Sequence, residues 1–135
     1  MMYHYWPNML GKLETSDHER KHAAWVDFVE KLVCSTSLSE VTWNNASLIK
    51  DNLIQRLHIE KSKDSGDILV LGSPRLAQFL LKEGLVDQLY LTVSPVIVGA
   101  GFNLFNGISG TLKLLESVQI QSGVLGLTYS ITKSE

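Results

Sequence analysis

Residues Asp67–Phe105 read DILVLGSPRLAQFLLKEGLVDQLYLTVSPVIVGAGFNLF, and the fold turns on this stretch. The apolar run Ile68–Leu71 has the length and composition of a strand and stops abruptly at Gly72, Ser73 and Pro74. An amphipathic helix is expected from Pro74 to Lys82, with Gly84 as its natural C′ residue. Leu89, Leu91 and Val93 then alternate with Tyr90, Thr92 and Ser94, the period of a strand. Val96–Val98 is expected to extend that strand beyond Pro95, which must sit at an edge or bulge. A strand that ends in small residues and feeds a helix start is where α/β proteins place ligand phosphates, because the helix N-terminus offers unpaired N–H groups and partial positive charge.

Upstream, Thr15, Ser16 and Asp17 offer caps for a helix from about Asp17 to Glu30. Lys31–Ser35 reads as a strand and Val41–Trp43 as a second extended piece. Asn44 or Asn45 is then expected to cap a helix whose apolar set, Ala46, Ile49, Leu53 and Leu57, falls on one face. Lys61–Gly66 is a polar connection. Downstream, Leu112, Leu114, Val118 and Ile120 share one parity, with the polar Glu116 as the exception. Gln121-Ser122-Gly123 can turn, and Leu125, Leu127, Tyr129 and Ile131 share the return face, which makes a C-terminal antiparallel hairpin. Parallel strands from the βα units plus this hairpin imply a mixed-sheet α/β domain spanning residues 1–135.

The bulk numbers exclude several classes. With 44% hydrophobic residues and a net charge of −2, the chain is neither disordered as a whole nor a nucleic-acid binder by electrostatics. No apolar run approaches the roughly 20 residues that span a bilayer. MMYHYWPN lacks the basic and apolar regions of a secretory signal. A single cysteine, Cys34, fits a reducing compartment, and the expected location is the cytoplasm.

Gly72-Ser73-Pro74-Arg75 is the best candidate site. Gly72 would let a phosphate approach the backbone, Ser73 can donate a hydroxyl and Arg75 can add charge. The same residues also make an ordinary helix start, with Ser73 as N-cap and Pro74 at N1. Cys34-Ser35-Thr36-Ser37 places hydroxyls at a strand's C-terminal end, although a plain Ser/Thr turn is the commoner meaning. Cys34 itself reads as a buried small hydrophobe. Gly99-Ala100-Gly101 is better explained as a turn than as a substrate contact. His18-Glu19-Arg20-Lys21-His22 matches the zinc motif H-E-x-x-H, but its charged interior and polar flanks make it a solvated helix face, so no metal ligands are assigned.

Leu71-Gly72-Ser73, Leu76-Ala77, Gly84-Leu85-Val86-Asp87, Pro95-Val96-Ile97-Val98-Gly99, Gly101 and Leu104-Phe105, in that order, resemble the dihydrofolate-reductase-like family. More narrowly they resemble the reductase branch related to the C-terminal domain of the riboflavin-biosynthesis deaminase–reductase. Lys31-Leu32-Val33-Cys34-Ser35-Thr36 resembles that family's strand near the adenosine side of its cofactor. The resemblance covers nearly the whole chain. It implies a mixed sheet flanked by helices, NADPH as hydride donor, and a pterin- or pyrimidine-like heterocycle as small-molecule substrate. By position, it would set Ser35 and Thr36 at the 2′-phosphate end and Gly72, Ser73, Arg75 and Leu76 along the pyrophosphate. No catalytic residue is implied. Pro74 stands where the family usually carries a small residue.

Family members begin with a central strand and a Gly-Arg-x-Thr-Tyr-like turn. Neither occurs here, and Tyr3-His4-Tyr5-Trp6-Pro7 resembles the end of the helix that follows. A missing central strand would expose a sheet edge, so a homodimer, the simplest cover, or a rearranged sheet is expected. The alternative is a non-catalytic oligomeric α/β remnant of the family.

Overall fold

The structure, a computed structural model, describes residues 16–132. The aromatic N-terminal stretch, with His4 and Trp6, lies outside them. The described residues gather into two compact units, one running to Ile68 and the other from Leu69.

In the first unit, helix α1 (Asp17–Phe28) starts with a reciprocal capping box. The Glu19 N–H donates to Ser16 Oγ at 3.2 Å, and the Ser16 N–H donates to Glu19 Oε2 at 3.0 Å. Two of the helix's orphan donors are thereby satisfied. Its other end is closed by side chains. Lys31 Nζ donates to the carbonyls of Val26 (2.7 Å), Asp27 (3.2 Å) and Val29 (2.7 Å). Asn45 Nδ2 donates to the Phe28 carbonyl at 2.8 Å, and Asn44 Nδ2 reaches the Asp27 carbonyl at 3.4 Å. The Lys31 ammonium also sits 5.3 Å from the centre of the Trp43 ring. A cation shared by three carbonyls suits the negative end of the helix dipole. Ala23 and Val26 are the buried residues of this helix.

Strand β1 (Lys31–Cys34) follows at once and pairs in parallel with β2 (Ala46–Ile49), Lys31 opposite Ala46 and Cys34 opposite Ile49. The sequence placed Ala46–Ile49 inside a helix instead. The apolar 3–4 spacing over Ala46, Ile49, Leu53 and Leu57 joins two elements, and the two asparagines at positive φ mark where they part. Asn45 (φ 52°) turns the chain into the strand and Asn52 (φ 51°) turns it out again into α2 (Leu53–Ser62). Asparagine tolerates that left-handed conformation better than most residues. Val41–Trp43 forms no strand.

Within α2, Leu57 and Glu60 are buried. The Glu60 carboxylate meets Lys63 Nζ at 2.6 Å and Arg56 at 2.9 Å. The Lys63 hydrogen bond, supported by the two positive charges and opposed by burial, holds this carboxyl below its ordinary range.

The apolar run Ile68–Leu71, expected as a strand, carries no ladder among the described residues, and each of its side chains is 38–54% exposed. A strand needs a paired neighbour, and a run apolar on both faces also needs both faces of its sheet covered; no described strand pairs with this one. In the second unit, α3 (Pro74–Lys82) has the expected boundaries. It ends in a Schellman motif: the Leu85 N–H donates to the Leu80 carbonyl, and the N–H of Gly84 (φ 65°) donates to that of Leu81.

Strands β3 (Gln88–Val93), β4 (Thr111–Gln119) and β5 (Leu125–Thr132) form an antiparallel sheet in the order β3-β5-β4. The hairpin is where the sequence placed it. A register shift between Leu114 and Glu116 leaves Leu115 as an extra residue, so the apolar set that shares one parity in the sequence is split between the two faces. Leu112 and Leu114 lie opposite Ile131 and Tyr129, whereas beyond the bulge Val118 lies opposite Gly126 on the other face. Strand β3 stops at Val93, and Val96–Val98 does not extend it. Pro95 cannot donate to a ladder, and the Val96 N–H closes a tight turn onto the Ser94 carbonyl at 2.8 Å. Thus the chain is a mixed α/β protein whose parallel and antiparallel strands lie in separate sheets.

Two stability outcomes follow. Lys31→Met leaves the α1 carbonyls without their shared donor and should cost ~1–3 kcal/mol, measured by urea unfolding. Glu60→Gln should separate from the wild type in urea midpoint at neutral pH. Because the folded carboxyl lies below the unfolded value of about 4.3, the gap should shrink as pH falls from there through the folded value. A gap that persists at low pH would sink this assignment.

Candidate functional site

The strongest candidate in the second unit is the start of α3. Gly72 has φ 69° and is exposed, so the backbone is bare where the chain enters the helix. Ser73 is the N-cap, its Oγ accepting from the Leu76 N–H at 3.3 Å while its carbonyl accepts from the Ala77 N–H at 3.0 Å. Pro74 occupies the first helical position and brings no N–H. Among the described residues the N–H of Arg75 remains unpaired, beside an exposed guanidinium. The helix-start role read from sequence is therefore realised. The groups left there to meet an anion are the Ser73 hydroxyl hydrogen, the Arg75 N–H and the Arg75 side chain. Leu76 is half-buried and supplies packing.

In the first unit, Ser35 follows β1 and its N–H continues the ladder to the Ile49 carbonyl at 3.1 Å. Its Oγ accepts from the N–H groups of Ser37 (3.3 Å) and Leu38 (3.2 Å). Ser35 thus folds its own turn. Thr36, the next residue, is exposed and keeps an accessible hydroxyl. Burial pushes the Cys34 thiol up, away from thiolate reactivity.

The H-E-x-x-H run lies on α1. Glu19, which a zincin would use as base, is bound by Ser16 through its side-chain and backbone groups, and these hold its carboxyl low. The His22 ring lies 5.5 Å from that of Trp25. Among the described residues no three His, Cys, Asp or Glu side chains converge as a metal site. An open concavity of about 380 Å³ lies at the β2–α2 turn, lined in part by Lys50, Asn52, Gln55 and Arg56. Sequence reasoning missed it because it ran β2 and α2 together. The signal was available in Asn45 and Asn52, the two residues that break the helix.

NADPH would present a pyrophosphate and a 2′-phosphate, and the residues fit these unequally. The α3 start offers bare backbone and a cation, which suits a pyrophosphate. The Ser35 turn has already used two amides on its own hydroxyl, leaving Thr36 as the accessible donor.

A sequence model of the RibD C-terminal domain matches residues 42–126. The uncharacterized protein YyaP of Bacillus subtilis (strain 168) is 29% identical over 126 residues, covering 92% of this chain. The match spans 66% of YyaP, just under two thirds of its length. Among solved structures, a candidate riboflavin biosynthesis protein from Shewanella sp. PV-4 superposes with TM-score 0.66 at 20% identity, over 87% of this chain and 71% of that one. A pyrimidine reductase-like protein from Corynebacterium diphtheriae gives TM-score 0.52 at 18% identity, over 90% of this chain and 48% of that one. At these identities the two structures show a shared fold.

Ser73→Ala removes the cap and should cost ~1 kcal/mol. Ser73→Asp, which caps as well, should retain that stability in thermal unfolding while adding a charge that repels anions.

Proposed function

This chain belongs to the RibD C-terminal domain family, and from that premise we propose that it is an NADPH-dependent reductase of a pterin- or pyrimidine-like heterocycle. The observation that carries the reading is the family match itself, which takes in β2, α2, the start of α3 and the sheet to Gly126. Two proteins of the same fold, one from riboflavin biosynthesis and one pyrimidine reductase-like, support the reductase part of it.

In this reading Gly72, Ser73 and Arg75 hold the pyrophosphate and Leu76 packs beneath it. Ser35 shapes the turn at which Thr36 meets the 2′-phosphate end. Bound NADPH supplies the hydride. The chain's own part is binding and orientation: Gly72 admits the phosphate to the backbone, Ser73 donates its hydroxyl hydrogen while its lone pair caps the helix, and Arg75 neutralises charge. Bidentate geometry makes arginine the better cation for this task. The same reading takes residues 1–135 as one cytoplasmic domain that works as a homodimer.

The test is an NADPH titration of the purified chain, read by energy transfer from Trp6, Trp25 and Trp43, with NADH as control. Saturable binding that favours NADPH, weakens with salt, and weakens about tenfold in Arg75→Ala is expected, the loss of one charge-assisted contact being worth ~1.5 kcal/mol. No saturation at millimolar NADPH by a folded protein would overturn the cofactor assignment. Sedimentation equilibrium on the same sample should give a dimer mass, and a monomer would remove the homodimer from the reading.

A further inference from the structure

Between β3 and β4 the chain runs through residues 94–110 with no strand or helix of its own. Its first part holds the most exposed apolar run among the described residues: Val96 is 67%, Ile97 102% and Val98 77% exposed, with Phe102 at 55%. Between them stand Gly99 and Gly101. A Cβ at either would meet nothing within 4 Å. Gly99 is explained by its φ of 71°, whereas Gly101 has neither a positive φ nor a crowded neighbour to account for it.

The far end of this segment is anchored. Gln78 on α3 donates from Nε2 to the Asn103 carbonyl at 3.1 Å and lies 3.4 Å from that of Leu104. Asn103 Oδ1 in turn accepts from the Phe105 N–H at 3.1 Å, stiffening the anchored knuckle. Gln78 lies three residues after Arg75, so both side chains stand on one face of α3. The anchor is therefore one helical turn from the donors at the start of α3.

We propose that Gln78 is a positioning residue: it holds residues 96–102 as an aliphatic flap alongside the α3 start, where Val96, Ile97 and Val98 cover a flat heteroaromatic ligand and Gly101 leaves room for it. The inference rests on the reductase reading. A donor is needed at position 78 because both partners are carbonyls, which accept and never donate. A carboxylate there would face like charge.

Hydrogen exchange of the peptide covering 94–105, measured with and without saturating NADPH, tests this in Gln78→Glu and Gln78→Lys, with circular dichroism as the check on folding. At pH 7, Gln78→Glu should exchange this peptide up to about tenfold faster and bind NADPH about fivefold more weakly, the scale of one lost hydrogen bond. Peptides from α1 and β1 should be unchanged. Gln78→Lys can still donate and should stay within about twofold of the wild type on both readouts. Gln78→Leu, which also cannot donate, replaces the glutamate variant if charge prevents folding. Wild-type binding with unchanged flap exchange and affinity in Gln78→Glu overturns the inference alone, as does a lysine variant as impaired as the glutamate one. Absence of NADPH binding by the wild type overturns the functional reading and this inference with it.

Discussion

The Lys31 ammonium at the end of α1 is the contact on which the N-terminal half depends. A helix leaves its last carbonyls without partners, and water normally takes them. Here three of them share one cation, placed by the first residue of the next strand. The same residue begins the β1–β2 ladder through its own N–H, which donates to the Asn45 carbonyl at 2.8 Å. Helix end, strand start and the returning turn at Asn44-Asn45 are thus fixed together. Desolvation lowers the lysine's pKa, and nearby Asp27 works against that shift. Few apolar side chains are fully buried in the described residues, with Ala23, Val26 and Leu57 the examples in this unit. Polar closure of this kind therefore carries more of the local order than it would over a thick core.

In the C-terminal half the helix start shows how one short motif can meet two demands. A serine cap uses its oxygen lone pair for the helix and keeps its hydrogen for something else. Proline sets the backbone angle at N1 and removes a donor that a phosphate would have used. What remains is concentrated on Arg75, so an anion held here would depend on a side chain more than on a ring of backbone amides. That is a different balance from the glycine-rich phosphate loops in which the backbone does most of the binding.

Elements with strong local signals were legible from sequence alone. Alpha3 was bounded at both ends by Ser73-Pro74 and Gly84, and the start of α1 by Ser16, because capping is chemistry of adjacent residues. The hairpin was legible from alternation and a turn tripeptide. What failed depended on partners distant in sequence. Ala46–Ile49 is a strand only because Lys31–Cys34 lies beside it, and the apolar spacing fitted a helix equally well. Ile68–Leu71 and Val96–Val98 are apolar enough for strands, yet neither is paired. The candidate residues at Gly72–Leu76 were found because a helix start can be read locally. Gln78 was not found, since a glutamine in mid-helix announces nothing until its distant carbonyl partners are known.

The extra residue at Leu115 has a consequence for how the last hairpin can be shielded. An uninterrupted strand keeps all its greasy side chains on one side, so a single covering layer suffices. Here the count slips by one, and β4 turns Leu112 and Leu114 to one side but Val118 to the other. Ile120 joins Val118 there, its Cδ1 3.4 Å from where a Cβ on Gly126 would stand. The hairpin is thus two-sided in its demand for shelter: near its base from one direction and near its tip from the opposite one. A glycine at 126 leaves that second side shallow enough for Ile120 to lie flat across the neighbouring strand.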